Sequence, residues 1–310
     1  MQNLAIEHAC LAEDAEMLAA LVDGCGLELI NRGQLNLIYK WRQHVPDEIA
    51  ERFPILVLAD VWIRAAELSL NEANRMLDEL LDHWNESKSS GPLSDKVLAT
   101  MAVKSVIALQ KDDLPSCISL ARRIEAQLGQ HSAFLEVAML IVGALASVMS
   151  GQPDQAKRLL ALAQQRNHFL EGRYLDMQLA NVEVLMSLEQ GQVRQAELLF
   201  AQLRARVMPW FSDRSRALAL PTISEALIGY AQGRWEGTEE RLRWALSTVD
   251  VINPVDIYAQ GMLCMAHVQR IQDNPKDAHA TLVLMQNLAA RNQSWRFYAQ
   301  SVGDEVAQIL

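Results

Sequence analysis

Seven histidines, four cysteines and several pairs of adjacent acids are the residues of this chain whose types could do chemistry. The histidines, His8, His44, His83, His131, His168, His267 and His279, stand singly. None has the HxxxH or HExxH spacing that puts two imidazoles on one helix face for zinc. Cys10, Cys25, Cys117 and Cys264 lie far apart without a CxxC pair, as in proteins that keep their thiols reduced. There is no GxSxG elbow for a serine nucleophile. A catalytic cysteine would need a histidine delivered by the fold, which spacing alone does not specify. Glu13 with Asp14, Asp112 with Asp113, and Glu239 with Glu240 sit where helices start or turn. Neighbouring helical positions do not face each other, so these acids read as caps and solvated charge. The expectation is a protein that is not an enzyme and uses no cofactor or metal.

The elements that would position such residues follow from a repeated phrase. GQPDQAKRLL begins at Gly151 and GQVRQAELLF at Gly191. Related phrases are GRWEGTEERL at Gly233 and DNPKDAHATL at Asp273, with weaker copies LSLNEANRML at Leu68, KDDLPSCISL at Lys111 and GQLNLIYKW at Gly33. The starts 33, 68, 111, 151, 191, 233 and 273 give a period near 40 residues. A fixed period of this size predicts units that bury their apolar faces only against neighbouring units. Apolar stretches long enough for three to four helical turns precede the turns, for example HSAFLEVAMLIVGALASVMS. Gly151, Gly191 and Gly233 then end the first helix of their units, and Ala156 and Ala196, five residues beyond the first two, allow the second to pack closely.

Apolar spacing of three and four leaves almost no strand signal, and Pro54, Pro92, Pro153, Pro254 and Pro275 fall at helix starts. Pro221 is the exception and is expected to kink or delay its helix. The predicted fold is therefore all-α: a right-handed superhelical solenoid of about seven tetratricopeptide-like helix-turn-helix repeats. It forms one domain over 1–310, with a long inter-repeat loop at 85–95 and a capping helix at 294–310.

Half of the 310 residues are apolar, the net charge is −10 and the pI is near 5.2, so a general nucleic-acid surface is disfavoured. The longest apolar run, Val137 to Met149, has Glu136 before it and Ser147 within it, too short and too polar for a bilayer. The first residues lack a secretory signal pattern, which gives a cytoplasmic expectation.

The first 85 residues add a resemblance. It rests on AIEHA at Ala5, GLELINRGQLNLIYKW ending at Trp41, VPDEI at Val45, a helix led by Pro54 and EANRML at Glu72. Together they resemble the start of the sensor region in MalT-like regulators, the large ATP-dependent branch of the LuxR family. The remainder is similar through repeat period alone, and a period near 40 departs from the 34 of ordinary tetratricopeptide repeats. The resemblance implies a sensor that receives a small-molecule inducer or a regulatory protein. It would pass the change to NTPase and helix-turn-helix domains of the same full-length regulator. This chain has no GxxxxGK[ST] phosphate loop, and no recognisable helix-turn-helix ends it, so neither nucleotide binding nor direct nucleic-acid contact is implied for these residues.

Superhelical repeats bind on the concave side, lined by the first helix of each pair. In that register the inner face includes Trp62, Met101, Ile141, Leu145 and Met149, then Gln178, Asn181, Leu185, Ile223, Tyr230, Gln260, His267 and Arg270. Its apolar part fits either tight packing or a preformed site, and its polar part lies toward the C-terminus, where Arg270 suits an anionic ligand. Trp41 and Trp210 fit equally a packing role and a stacking role. Two further readings stay open: a free-standing adaptor holding a peptide or helix of another protein, and an all-helical enzyme with strongly shifted pKa values in one pocket.

Overall fold

The computed structural model describes residues 2–31, 35–66, 69–84, 95–168, 170, 173–213, 215–248 and 255–292. Among them every regular element is helical. The chain opens with α1 (Gln2–Leu11), α2 (Ala15–Asn31), α3 (Leu35–Arg42) and the single turn α4 (Asp47–Ala50). Six pairs follow: α5 (Pro54–Ala66) with α6 (Leu70–Trp84), α7 (Asp95–Gln110) with α8 (Leu114–Glu125), and α9 (Ala133–Met149) with α10 (Pro153–Asn167). The last three are α11 (Arg173–Glu189) with α12 (Val193–Arg206), α13 (Ala219–Ala231) with α14 (Thr238–Ser247), and α15 (Val255–Ile271) with α16 (Pro275–Asn292).

The turns inside the pairs explain why the phrase repeats. Asp112, Gly151, Gly191, Gly233 and Asp273 all have φ between 57° and 71°, in the left-handed region. At each, the residue's own N–H donates to the carbonyl three residues back. The next N–H donates to the carbonyl five residues before it, as from Gln152 to Ser147 at 2.8 Å and from Gln192 to Ser187 at 2.8 Å. These two hydrogen bonds satisfy carbonyls the helix end would leave open, and glycine enters the left-handed region without a Cβ penalty. Glu13, φ 54°, makes the same turn between α1 and α2, a copy the repeat reading missed because its sequence shares neither Gly nor the period. Five residues beyond the turns, Cys117, Ala156, Ala196, Thr238 and Ala278 are all buried, which keeps that position small. Proline placement follows as well. Pro54, Pro153 and Pro275 open α5, α10 and α16, and Pro221 sits in the first turn of α13, behind a 3₁₀ turn at Arg216–Leu218, where no i−4 hydrogen bond is lost. The turns expected at 33 and 68, the loop through residues 85–94 and the capping helix at 294–310 lie outside the described residues.

Packing runs along the chain in a fixed pattern. The first helix of each pair packs on the first helix of the next, α5 to α7 to α9 to α11 to α13 to α15, and each second helix packs on the following first helix. Helix α9 is the central case, buried from Leu135 to Val148 except at Ala138, and an apolar helix of that kind must be covered all round. Helix α2 departs from the neighbour rule and packs on α5, α7 and α9. Asp23 of α2 accepts the Ile55 N–H at 2.8 Å, at the start of α5. Gly26 lies so close to Ile55 that a Cβ would stand 2.2 Å from its Cγ2. Helix α2 is thus built into the core of the first half.

Candidate binding face

The C-terminal half of the first-helix row brings polar residues together. Gln260, midway along α15, donates from Nε2 to Glu189 Oε1 at the end of α11, 3.0 Å away, although α13 lies between these helices in sequence. Tyr230, in the last turn of α13, meets His267 of α15 with ring centroids 5.8 Å apart and planes tilted by 34°. The same segments that place these rings also form the turns, since the Tyr230 carbonyl accepts Gly233 N–H at 3.0 Å and the Arg270 carbonyl accepts Asp273 N–H at 3.0 Å. Tyr230, Gln260 and His267 are half-buried, and Arg270, one turn beyond His267, is exposed. Glu189 joins this cluster without having been expected. Its signal was positional: it stands two residues before the Gly191 turn, as Met149 does before Gly151.

The remaining expected residues take other places. Gln178 and Asn181 lie on the same helix as Glu189, one turn apart, each 0% exposed, with amide N and O atoms that have no hydrogen-bond partner. Trp62 is only 6% exposed, on α5, and Met149 is half-buried at the end of α9. Met101, Ile141, Leu145, Leu185 and Ile223 are core residues. The apolar part of the face therefore packs within the protein, with α2 against α5, α7 and α9. Trp41 is buried, whereas Trp210 is exposed with the Arg173 guanidinium 4.9 Å above its ring.

Two clefts lie elsewhere. One, about 1020 Å³, is bounded by α3 to α6, and its walls are ion pairs over an apolar floor that includes Val57, Ile63 and Met76. Arg42 donates from Nε and Nη2 to Asp60 at 3.0 and 2.8 Å, from Nη2 to Asp47 at 2.6 Å and from Nη1 to the Val45 carbonyl at 2.6 Å. Burial raises the Asp60 carboxyl above its ordinary pKa even against Arg42, while the hydrogen bond from Arg42 lowers that of exposed Asp47. The second cleft, about 590 Å³, lies between α12, α13 and the start of α14. Arg204 pairs there with Glu225, and Arg234 with Glu197 at 2.7 Å. These guanidinium groups already have carboxylate partners, so the clefts present neutralised rather than unopposed charge.

All four cysteines are free thiols, and burial pushes Cys117 and Cys264 up to about 12. Protonated, enclosed thiols are poor nucleophiles. Among the described residues no group of three His, Cys, Asp or Glu is arranged to hold a metal ion, and no helix is long and apolar enough to cross a membrane. Comparison with protein-family models and with curated proteins finds no match for this chain.

Proposed function

We propose that this chain is the sensor and protein-interaction part of a MalT-like, LuxR-family transcriptional regulator, acting without catalysis in the cytoplasm. In this reading the helix pairs wind as a right-handed solenoid of about seven tetratricopeptide-like repeats. An inducer or regulatory protein binds on the first-helix face, and the change passes to NTPase and helix-turn-helix domains of the same regulator. The observation that carries the binding role is the convergence of Glu189, Tyr230, Gln260 and His267 from three first helices onto one surface, with Arg270 beside it. Such a surface offers aromatic area, amide hydrogen bonding and charge within one patch, the composition of recognition sites rather than of cores. The regulator role rests on the resemblance of the first 85 residues.

The test has two arms. Calorimetry of the purified protein against fractionated metabolite pools, and against candidate regulatory proteins, is expected to give saturable binding that falls at least tenfold in Tyr230→Ala and His267→Ala. No saturable partner in either set refutes the binding role. The full reading frame tests the regulator role: an in-frame phosphate loop upstream and a helix-turn-helix downstream support it, and a stop codon after Leu310 favours a free-standing adaptor.

A further inference from the structure

Several buried hydroxyls in this protein are satisfied within their own helices. Ser147 donates to the Gly143 carbonyl at 2.7 Å, Thr222 to Leu218 at 2.7 Å and Ser224 to Leu220 at 3.3 Å. Gln178 and Asn181 break this pattern. Both side chains are fully buried, and all four of their amide atoms, Nε2, Oε1, Nδ2 and Oδ1, are unpartnered. Their carboxamides make no fold-back bond of this kind. Gln110 also has an unpartnered buried carboxamide, alone at the end of α7, and the Thr238 hydroxyl and Asn167 Oδ1 are unpartnered too, but only on α11 do two such carboxamides stand one turn apart.

Residues 178, 181, 185 and 189 share one side of α11, spanning about a quarter of its circumference. Glu189, about three turns beyond Gln178, reaches Gln260 of α15 from that same side of the helix. The flanking first helices bury Ile141 and Leu145 on α9 and Leu220 and Ile223 on α13, and their buried hydroxyls are bonded within their own helices, so α11 is the helix of this row that brings a pair of open carboxamides into the layer. Leucine or methionine would fill a similar volume without a desolvation cost, so the two amides carry a cost that packing alone does not offset.

We propose that Gln178 and Asn181 form an enclosed recognition element for a neutral ligand that carries amide groups, of which the peptide unit is the commonest. The two side chains carry no charge, and burying a charged group against them would be costly. A cis amide, as in a lactam or cyclic dipeptide, can give and take a hydrogen bond with one carboxamide at once, N–H to O in both directions, whereas a trans peptide unit offers one of the two at a time. Two carboxamides one turn apart can engage two amide units of a compact ligand. The location rests on the reading of the first-helix face as the binding surface, and the chemistry rests on the two amides alone.

The test uses the cyclic glycine dipeptide, which is neutral and has two amides, with glycerol and glucose as hydroxyl-bearing comparators. Calorimetry and thermal shift are measured on the whole chain, on Gln178→Met/Asn181→Leu and on Tyr230→Ala/His267→Ala. Binding of the dipeptide is expected in the wild type and is lost in the amide double variant. The same variant is expected to gain about 2–6 °C in Tm, because it sheds unpaired buried amides. Retention of dipeptide binding in Tyr230→Ala/His267→Ala separates this element from the polar cluster at the face. A lower Tm in the amide variant, no dipeptide binding at tens of millimolar, or equal binding of glycerol or glucose would each overturn the proposal.

Discussion

Glu136 is fully buried in the first turn of α9, and its replacement by alanine tests how the helix pairs are joined. Its Oε1 accepts N–H groups of Gly129 at 2.9 Å and His131 at 3.2 Å, and its Oε2 accepts Arg166 Nε at 2.6 Å. One carboxylate therefore fixes the α8–α9 loop and ties it to α10. Breaking a buried ion pair from one side costs roughly 3–5 kcal/mol, and hydrogen bonds to charged groups about 1.5–3 kcal/mol each without full additivity. Glu136→Ala is accordingly expected to cost about 3–5 kcal/mol. Glu136→Gln keeps an oxygen for the two loop amides and loses only the charge, so roughly 1–2 kcal/mol is expected. Arg166→Met and the double variant complete a cycle, whose coupling energy should exceed about 1 kcal/mol because Arg166 is itself only 22% exposed. Urea unfolding followed by circular dichroism reads the global effect. Hydrogen exchange of the amides in α8, α9 and α10 reads the local one, which matters where neighbouring units unfold separately. If Glu136→Ala lies within about 0.5 kcal/mol of the wild type, or the coupling is near zero, the carboxylate does not hold these helices together.

At the turns, Asp112→Gly should stabilise the fold by about 0.5–1 kcal/mol. Relief of the left-handed penalty, about 1–2 kcal/mol, outweighs the entropy glycine adds to the unfolded chain, and Gly151→Ala should destabilise by a similar amount. Burial, followed by the charge of Asp113, raises the Asp112 carboxyl in the fold. The native charge is thus a cost that appears as pH rises through the folded pKa, so the advantage of Asp112→Gly grows toward neutral pH and shrinks in acid, as urea unfolding against pH would reveal. The thiols give the other pH test. With Cys117 and Cys264 held near 12 in the fold against 9.0 unfolded, stability is complete below pH 9. It falls above pH 9 by about 1.4 kcal/mol per unit for each thiol, because the unfolded thiols ionise first. Thiol labelling at pH 8 should accordingly modify Cys10 in the native protein and reach Cys117 and Cys264 only in urea; rapid native labelling of either would contradict their burial.

What could be read from the sequence was local, and what could not was contact between distant parts. The turns at Gly151, Gly191 and Gly233 were legible because a left-handed helix end needs glycine, and the small residue five positions on marks the helix crossing. The same turn at Glu13 was hidden because an acidic residue can be held in the left-handed region when two hydrogen bonds secure it. Helical period also located Gln178, Asn181, Tyr230, Gln260 and His267 on first helices, since period decides which residues share a face. It could not assign Glu189, whose partner Gln260 is 71 residues away, nor show that α2 packs on α5, α7 and α9, because both depend on how each pair rotates on the last. Those two contacts also divide the face. In the N-terminal half, Ile141 and Leu145 meet their packing needs within the protein, so their apolar character implies no ligand. In the C-terminal half the half-buried side chains of α13 and α15 and the amides of α11 are not explained by packing alone, and a side chain that packing does not explain is where selection for binding is most economically sought.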